Sequence, residues 1–367
     1  MLSKRSVGNI DWPLFILTLL LILVGLMNLY SAIYRAEAKA LSPIIITQLM
    51  WVGVGFGVLV ISTLLNYNYL EKIAWPMYII TVLLLAYVLI GGPVIYGARR
   101  WVSIGGFSMQ PSEIAKLSVI VILAKYFSKN DSPLGYTFKT IIKPSLLAFI
   151  PIILILKEPD LGTALLLLMI FGGMLVYVGL RLRTIGQIVL GVVLSIPLAW
   201  YFVLKEYQKD RIRVFMDPAK DRLGDAWHIT QSIIAIGSGK FFGKGFLSGT
   251  QSKLEFVPKQ HTDFIFSVFA EEWGFIGTFV VIMLFFLLIV AGFGVAARAR
   301  DKFGSILACG ITCMLFAQIF VNIGMELDIL PVVGVTLPFF SYGGSSLIIS
   351  MFGVGLLLNI NMRRHMF

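Results

Sequence analysis

Residues 251–274 read QSKLEFVPKQHTDFIFSVFAEEWG, and they close the longest polar interval of a very apolar chain. Three consecutive polar side chains stand where this interval passes into apolar sequence: His261, Thr262 and Asp263. Glu271 and Glu272 follow within the apolar run, where a carboxylate is costly unless it is paired or faces a cavity. The stretch therefore predicts a polar loop that enters a hydrophobic helix, with a candidate site at the point of entry.

The composition predicts that this hydrophobic helix is one of many. Of the 367 residues, 58% are hydrophobic and 13% are charged, whereas a soluble domain carries about 25% charged residues. No soluble fold encloses so much apolar surface, so we expect an all-α, polytopic integral membrane protein. The net charge of +11 is then interpreted as cytoplasmic loops and contacts with lipid headgroups, and it does not predict nucleic-acid binding.

Ten apolar segments are candidate transmembrane helices, since about 20 apolar residues cross the hydrocarbon layer. They make up a single domain over residues 1–367, with expected bounds at 12–32, 44–65, 73–92, 112–127, 141–156, 162–180, 185–204, 264–297, 303–325 and 341–361. The fourth and fifth segments are short and are expected to extend into flanking residues. The eighth is too long for one crossing, so its outer part, around Asp263, is expected to be an interfacial helix.

Lysine and arginine residues indicate the orientation. In the short loops they concentrate on the side that holds both chain termini, and such loops face the cytoplasm. The long interval 205–263 between the seventh and eighth segments is then extracytoplasmic. It contains many apolar residues and a short amphipathic pattern at Ile229–Ile236, so we expect a structured loop. Its lysines, Lys253 among them, extend a basic outer face that would attract an anionic substrate.

An ionisable pair lies at the start of the fourth segment. Glu113 and Lys116 follow Pro111, which suits the first turn of a helix, and their i, i+3 spacing places them on one face. Two interpretations are open: a structural ion pair that positions the helix, and a polar lining for an anionic substrate. The spacing is compatible with both interpretations. The second is a serious alternative because ionisable groups within spans usually face a cavity.

Two outer turns carry further charge. Arg99, Arg100 and Trp101 are explained by headgroup anchoring with a belt aromatic, or by a guanidinium clamp on a phosphate or pyrophosphate. Glu158 and Asp160 flank a proline in a short turn between two helices. Asp160 is expected to cap the second of these helices. The two carboxylates could instead hold a divalent cation together with a pyrophosphate.

Asp263 is the best candidate for a chemical role, because it stands where water and a low-dielectric interior meet. An aspartate at this point can equally be a helix N-cap, and the spacing leaves both interpretations open. His261 has no evident nucleophile partner. The sequence contains no Ser-His-Asp order, Walker loop or metalloprotease motif, and its three histidines are too scattered to predict a zinc site.

Six short motifs occur in a fixed order along nearly the whole chain. They are GARRW at 97–101, QPSEIAK at 110–116, EPDLGT at 158–163, GTQSKLEF at 249–256, HTDFIF at 261–266 and PFFSYGGSS at 338–346. Together they resemble the SEDS family (shape, elongation, division and sporulation). The 249–256 segment and the compact N-terminus favour the elongation branch of the family over the division branch.

The resemblance implies a ten-span peptidoglycan glycosyltransferase that acts in cell elongation and rod shape. Its substrate would be lipid II, a disaccharide-pentapeptide on undecaprenyl pyrophosphate. The enzyme would join the disaccharides into β-1,4 glycan strands at the outer face of the bacterial cytoplasmic (inner) membrane. The implied partner is a class B penicillin-binding protein, which crosslinks the strands and activates the polymerase.

The resemblance also implies roles for particular residues. Asp263 matches the essential aspartate of the outer loop, Glu113 and Lys116 match a cavity ion pair, and Arg100 and Asp160 match charged positions of the outer turns. Inversion at the anomeric carbon needs a general base for the attacking 4-hydroxyl, which we assign to Asp263. His261 and Thr262 are interpreted as its positioning neighbours. Basic residues of the outer face, assisted by a divalent cation (Mg or Mn), would stabilise the departing pyrophosphate.

Two functions from other classes compete with this one: a flippase or transporter for a lipid-linked sugar, and a scaffold that only recruits a synthase. A flippase needs polar residues along an entire crossing path. Here the polar groups gather at the outer face, and the inner halves of most segments are apolar. The sequence therefore favours chemistry outside the membrane, with the transporter and a division-type member of the family as the alternatives.

Overall fold

The computed structural model describes residues 11–34, 42–95, 98–104, 107–132, 135–198, 200–201, 206–216, 225–253 and 261–364. Helices dominate the described chain, which agrees with the all-α expectation. They are α1 (Trp12–Ile33), α2 (Pro43–Leu64), α3 (Asn68–Gly91), α4 (Pro111–Lys129), α5 (Phe138–Lys157), α6 (Leu161–Val178), α7 (Leu182–Leu198), α8 (Glu206–Met216), α9 (Asp225–Ser238), α10 (Thr250–Lys253), α11 (Ile265–Arg298), α12 (Lys302–Glu326) and α13 (Gly344–Met362).

Two short β-hairpins separate α3 from α4, and the sequence did not predict them. The first pairs β1 (Val94–Ile95) with β2 (Ala98–Arg99), and the second pairs β3 (Val102–Ile104) with β4 (Phe107–Met109), both antiparallel. Each strand has only two or three residues, too few for a reliable alternation of polar and apolar side chains. The hairpins bring the chain from the end of α3 to the start of α4.

Every predicted segment coincides with a helix. Eight helices are long and apolar enough to cross a membrane, judged by length and composition: α1, α2, α3, α5, α6, α11, α12 and α13. The two remaining segments fall on α4, which contains ionisable side chains, and on α7, which has 17 residues. As expected, α4 and α5 extend beyond the short predicted segments, to 19 and 20 residues.

The helices α12 and α13 lie at the centre of the bundle. α12 packs against α11, α6 and α4, while α13 packs chiefly against α2. Cys309 and Cys313 lie on one face of α12, both are buried, and both are free thiols. Both therefore pack within the bundle. The outer helices α2 and α3 expose many apolar side chains, as helices that face lipid must.

The long helix α11 is divided at Gly274, whose φ of 62° and ψ of −162° are not helical. The prediction that the eighth segment is two pieces is therefore confirmed, while the interfacial position of the first piece stays a prediction. All side chains from Ile265 to Glu272 are buried. They are enclosed because this piece packs between α1, α9 and α12.

The turn that follows α9 closes over this kink through main-chain atoms. The amides of Lys244 and Gly245 donate to the carbonyls of Glu271 and Glu272, at 3.0 Å each, and the amide of Phe275 donates to the carbonyl of Lys240 at 2.8 Å. A side chain at Gly243, where φ is +77°, would overlap the carbonyl oxygen of Glu272. The turn and the kink therefore hold each other in place.

Candidate active site

Asp263 lies in a turn formed by residues 261–264, immediately before α11, and it is partly exposed. The side-chain amide of Asn322 donates to the main-chain carbonyl of Asp263 at 3.0 Å and to that of Val335 at 2.8 Å. Gly334, with φ at +69°, faces the carboxylate: a Cβ at this position would stand 3.6 Å from Oδ2 of Asp263. Because Gly334 has no side chain, space remains beside the carboxylate of Asp263.

The first turn of α11 is capped by a residue from another helix. Phe264 occupies the N-cap position and provides no side-chain hydrogen bond. Glu326, the last residue of α12, accepts from the amide of Phe266 through Oε1 at 3.2 Å and from that of Ser267 through Oε2 at 2.6 Å. The alternative that Asp263 is the N-cap is therefore wrong, because Glu326 fulfils that function.

His261 and Thr262 lie beside Asp263 in the same turn, and both are partly exposed. The carbonyl of His261 accepts from the amide of Tyr342 at 2.9 Å, and the two rings meet edge to face with centroids 6.2 Å apart. Burial lowers the pKa of His261, and the neighbouring charge of Asp263 partly opposes this effect. The lowered pKa favours the neutral form of His261 at pH 7. The contacts with Tyr342 tie the turn to the segment before α13.

Glu113 and Lys116 form the ion pair that their spacing predicted, with Nζ and Oε1 at 2.9 Å. Lys116 is fully buried, and Glu113 is 7% exposed. Oε2 of Glu113 has no hydrogen-bond partner among the described residues. The ion pair is confirmed, while its role as a substrate lining stays a prediction.

Asp160 caps α6, as predicted. Its Oδ1 accepts from the amide of Thr163 at 3.1 Å, and its Oδ2 accepts from the Thr163 hydroxyl at 2.9 Å and from Nε2 of Gln110 at 3.0 Å. Gln110 directly precedes α4. The side chain of Asp160 therefore joins the start of α6 to the start of α4, one turn from Glu113.

Arg100 is bound to the turn that holds Asp160. Its Nε donates to the carbonyl of Glu158 at 2.9 Å, and its Nη2 donates to the carbonyl of Pro159. These two donors cannot also bind a pyrophosphate in this arrangement. A role in substrate binding for Arg100 therefore stays a prediction that depends on its other N–H groups.

Glu158 is a buried carboxyl group in the same turn. Neither of its side-chain oxygens has a hydrogen-bond partner among the described residues, and the residue is 1% exposed. Burial, reinforced by the charge of Asp160 and opposed by Arg100, raises the pKa of Glu158 to about 8. The group is therefore largely protonated at neutral pH.

The turn of Asp160 and the turn of Asp263 meet the same segment of chain. A Cβ at Gly162, in the first turn of α6, would stand 2.6 Å from the carbonyl oxygen of Val333. The next residue, Gly334, faces Asp263. The structure thus brings Asp160, Asp263, His261 and Thr262 to one end of the bundle, together with Gln110 at the start of α4.

Glu271 and Glu272 contact the turn after α9, the start of α10 and α1. Oε1 of Glu271 accepts from Nζ of Lys244 at 2.7 Å and from the amides of Thr250 and Gln251 at 2.8 and 3.0 Å. Glu272 accepts from the hydroxyl of Ser31 in α1. Both carboxylates therefore have structural partners around the start of α10 and along α1.

The sequence predicted a substrate-binding role for Lys253 and a divalent cation at the site. Lys253 ends α10, and its side chain lies outside the described residues. Among the described residues, no three His, Cys, Asp or Glu side chains come together in a group that could hold a metal ion, and both oxygens of Asp160 are occupied by donors. The residues that the structure describes therefore do not fit a preformed divalent-cation site.

The comparison with known proteins identifies the family. The family described as "Cell cycle protein", which joins FtsW, RodA and SpoVE, matches residues 11–366. The chain belongs to this SEDS family. The chain is 41% identical to the peptidoglycan glycosyltransferase MrdB of Escherichia coli K12 over 351 residues, 95% of this chain and 94% of that protein.

Solved structures of the SEDS family agree with this fold. A chain from a peptidoglycan synthase complex described as coordinating polymerization and crosslinking is similar, with a TM-score of 0.83 and 32% identity over 98% of this chain and 99% of that one. The rod shape determining protein RodA of Thermus thermophilus gives a TM-score of 0.72 and 30% identity, over 98% of each chain.

Glu326 and Asn322 are site residues that sequence reasoning missed. Glu326 stands directly after the predicted segment 303–325. An acidic residue at the end of an apolar run could have indicated a functional position. Asn322, one turn earlier, is a polar residue inside the same run. Their partners lie about 60 residues away in sequence, so spacing alone does not connect them.

Proposed function

We propose that this protein is a peptidoglycan glycosyltransferase that polymerises lipid II into β-1,4 glycan strands during cell elongation. The observation that carries the proposal is the 41% identity to MrdB over 95% of the chain. The fold similarity to RodA, a rod shape determining protein, supports the elongation branch. The candidate site residues Asp160, Asp263, His261 and Thr262 lie together at one end of the bundle, which supports chemistry at that end over transport.

The proposed reaction is a single displacement with inversion at the anomeric carbon. Asp263 takes the proton from the attacking 4-hydroxyl, a new bond forms between that oxygen and C1, and the C1–oxygen bond to undecaprenyl pyrophosphate breaks. The partly exposed position of Asp263 and the open space at Gly334 support this role. Asn322 holds the backbone of Asp263, so the carboxylate is presented from a fixed turn.

Cationic side chains would stabilise the departing pyrophosphate. A helix N-terminus often binds such an anion, but the start of α11 is already occupied by Glu326. The proposed ligands are therefore Arg100, through its remaining N–H groups, and Lys253, together with other basic residues of the outer face, whereas Lys116 is fully buried and paired with Glu113. A divalent cation, if one takes part, would need ligands from the pyrophosphate, and we derive no step through it.

The proposed setting is a ten-span protein of the bacterial cytoplasmic (inner) membrane. Both termini would lie in the cytoplasm, and the interval 205–263 would lie outside. The eight long apolar helices, with α4 and α7 at the two remaining predicted positions, support this arrangement. The partner would be a class B penicillin-binding protein, which the similarity to a chain of a peptidoglycan synthase complex supports.

Polymerisation of purified lipid II by the purified protein and its synthase partner tests the proposal. The parent is expected to form glycan strands, and Asp263→Asn, which keeps the shape of the side chain but removes the base, is expected to lose about a hundredfold or more in rate. Asp210→Asn, on the exposed face of α8, is the control and should polymerise at the parental rate.

Two outcomes would contradict the proposal. No polymerisation by the folded parent with its partner would overturn the enzyme assignment. Polymerisation at the parental rate by Asp263→Asn would overturn the assignment of the base. The same assay with a chelator, followed by addition of Mg²⁺ or Mn²⁺, tests the cation: unchanged activity in chelator would overturn that expectation.

A further inference from the structure

Glu326 is a fully buried carboxyl group whose only described side-chain partners lie at the start of α11. Its two oxygens accept from the amides of Phe266 and Ser267, at 3.2 and 2.6 Å. These amides belong to the first turn of a helix, where no acceptor exists within the helix itself. Phe264 at the N-cap position provides none. Glu326 therefore supplies, from the end of α12, the acceptors that α11 lacks.

The same end of α12 also holds the backbone of Asp263. Asn322 precedes Glu326 by four residues, so the two side chains lie on one face. The amide of Asn322 binds the carbonyl of Asp263 at 3.0 Å. Helix α12 therefore binds the chain on both sides of Phe264: Asn322 binds the carbonyl of Asp263, and Glu326 binds the amides of the following turn.

Two further contacts fix these elements in the bundle. The side-chain amide of Asn28 in α1 donates to the carbonyl of Ile265 at 2.9 Å, and the hydroxyl of Ser232 in α9 donates to the carbonyl of Glu326 at 3.0 Å. The start of α11 is thus connected to α1, and the end of α12 to α9. Removal of the Glu326 side chain would release the amides of Phe266 and Ser267, which follow the turn of Asp263. The contact of Asn322 with Asp263 and the packing of α1 and α9 would remain.

From this geometry we infer that Glu326 is a positioning residue for the glycosyl transfer: it holds the start of α11 so that the carboxylate of Asp263 reaches the attacking hydroxyl. The inference rests on the proposed function of Asp263. Glu326 is enclosed by protein and does not touch the substrate. Its effect is geometric, and displacing a reacting group by about 1 Å can cost a hundredfold in rate.

The test compares kcat and KM for lipid II among purified variants with the synthase partner. Glu326→Ala is expected to lower kcat by about tenfold to a hundredfold, with KM within about twofold of the parent, because the substrate ligands are unchanged. Glu326→Gln keeps one acceptor oxygen and should show a smaller loss of kcat. Asp263→Asn is measured beside them.

A matched control is available at the other end of the same helix. Asp301 caps α12, with its Oδ1 accepting from the amide of Gly304 at 2.7 Å. Asp301→Ala removes a cap and should lower thermal stability, as Glu326→Ala does, but it should leave kcat at the parental value. A merely structural role for Glu326 predicts instead that the two variants lose stability and kcat together.

The outcomes separate the inference from the proposed function. Parental kcat in folded Glu326→Ala, with Asp263→Asn inactive, overturns the inference and leaves the proposed function in place. An active Asp263→Asn overturns the role of Asp263 itself. If Glu326→Ala does not fold, Glu326→Gln decides the question, and parental kcat in that variant overturns the inference.

Discussion

At the scale of single residues, Glu158 shows how the interior of this protein changes the chemistry of a carboxyl group. The residue stands between Asp160, which caps a helix, and Arg100, which binds the carbonyls of the turn. Burial without a hydrogen-bond partner disfavours the ionised form, so the pKa of Glu158 rises to about 8. The protonation of this turn therefore changes near neutral pH, unlike that of an exposed glutamate.

The raised pKa of Glu158 predicts a dependence of folding stability on pH. Between about pH 5 and pH 8 the folded protein keeps the proton that the unfolded chain releases, so stability falls as pH rises through this window. Glu158→Gln, a neutral replacement, should flatten the decrease. Thermal unfolding of the purified protein in detergent between pH 5 and pH 8 measures this effect.

The control for this prediction is Glu206→Gln. The hydrogen bond and charge of Lys209 lower the pKa of Glu206, so this group is ionised across the whole window and its replacement should leave the slope unchanged. An identical slope in the parent and in Glu158→Gln would show that Glu158 is ionised in the folded protein.

Individual residues also show what could be predicted from spacing. The pair Glu113–Lys116 and the cap Asp160–Thr163 join residues three apart, and both were expected because a helix fixes which side chains meet at that distance. Glu326 reaches amides 59 and 60 residues away. Such a contact depends on how whole helices pack, and no local pattern records it.

At the scale of elements, the kink in α11 separates a nine-residue piece, buried except at Trp273, from the span that follows. The length of the apolar run indicated two pieces, but the position of the break follows from the turn after α9, which packs against the chain at Gly274. The same turn covers Glu271 and Glu272, which explains why two carboxylates are tolerated there. The apolar pattern of the run carries no information about that turn.

The docking of this turn predicts that Gly243→Ala is destabilising. The alanine would be held at a positive φ and its Cβ would overlap the carbonyl of Glu272, at a cost of about 1–3 kcal/mol for the backbone strain alone. Thermal unfolding should show a clear decrease in melting temperature. Polymerisation should also decrease, since the turn supports the helix that follows Asp263.

Gly237→Ala is the matched control, because Gly237 lies in α9 and nothing stands within 4 Å of a Cβ there. An alanine in a helix is favoured over glycine by up to about 1 kcal/mol, so this variant should be as stable as the parent or slightly more stable. Equal stability of the two variants would contradict the tight docking of the turn at the kink.

At the scale of the whole molecule, composition predicted the class of protein well. The apolar runs predicted the helices, because each run must be a helix if it is to cross lipid with its main-chain groups hydrogen-bonded. The short hairpins between α3 and α4 were missed, since two or three residues carry no periodicity. The orientation in the membrane depends on the loops and stays a prediction.

The expected orientation can be tested by labelling single introduced cysteines. Asp210 in α8 and Lys129 at the end of α4 both have exposed side chains, and the native Cys309 and Cys313 are buried. A membrane-impermeant maleimide should label Asp210→Cys on intact spheroplasts and Lys129→Cys only after the membrane is opened. Labelling of Lys129→Cys on intact spheroplasts would overturn the orientation.

The turn that docks on the kink has a consequence for which substitutions the protein can accept. Main-chain atoms make the hydrogen bonds there, while the side chains of Phe241 and Phe242 point outward, 66% and 83% exposed. The side chain of Phe242 can change without altering the join, whereas Phe241 packs on Phe275 with ring centroids 5.5 Å apart, and adding one carbon atom at Gly243 or Gly274 obstructs the join. The junction at the kink therefore requires the absence of a side chain at these two glycines, in addition to the ion pair between Lys244 and Glu271.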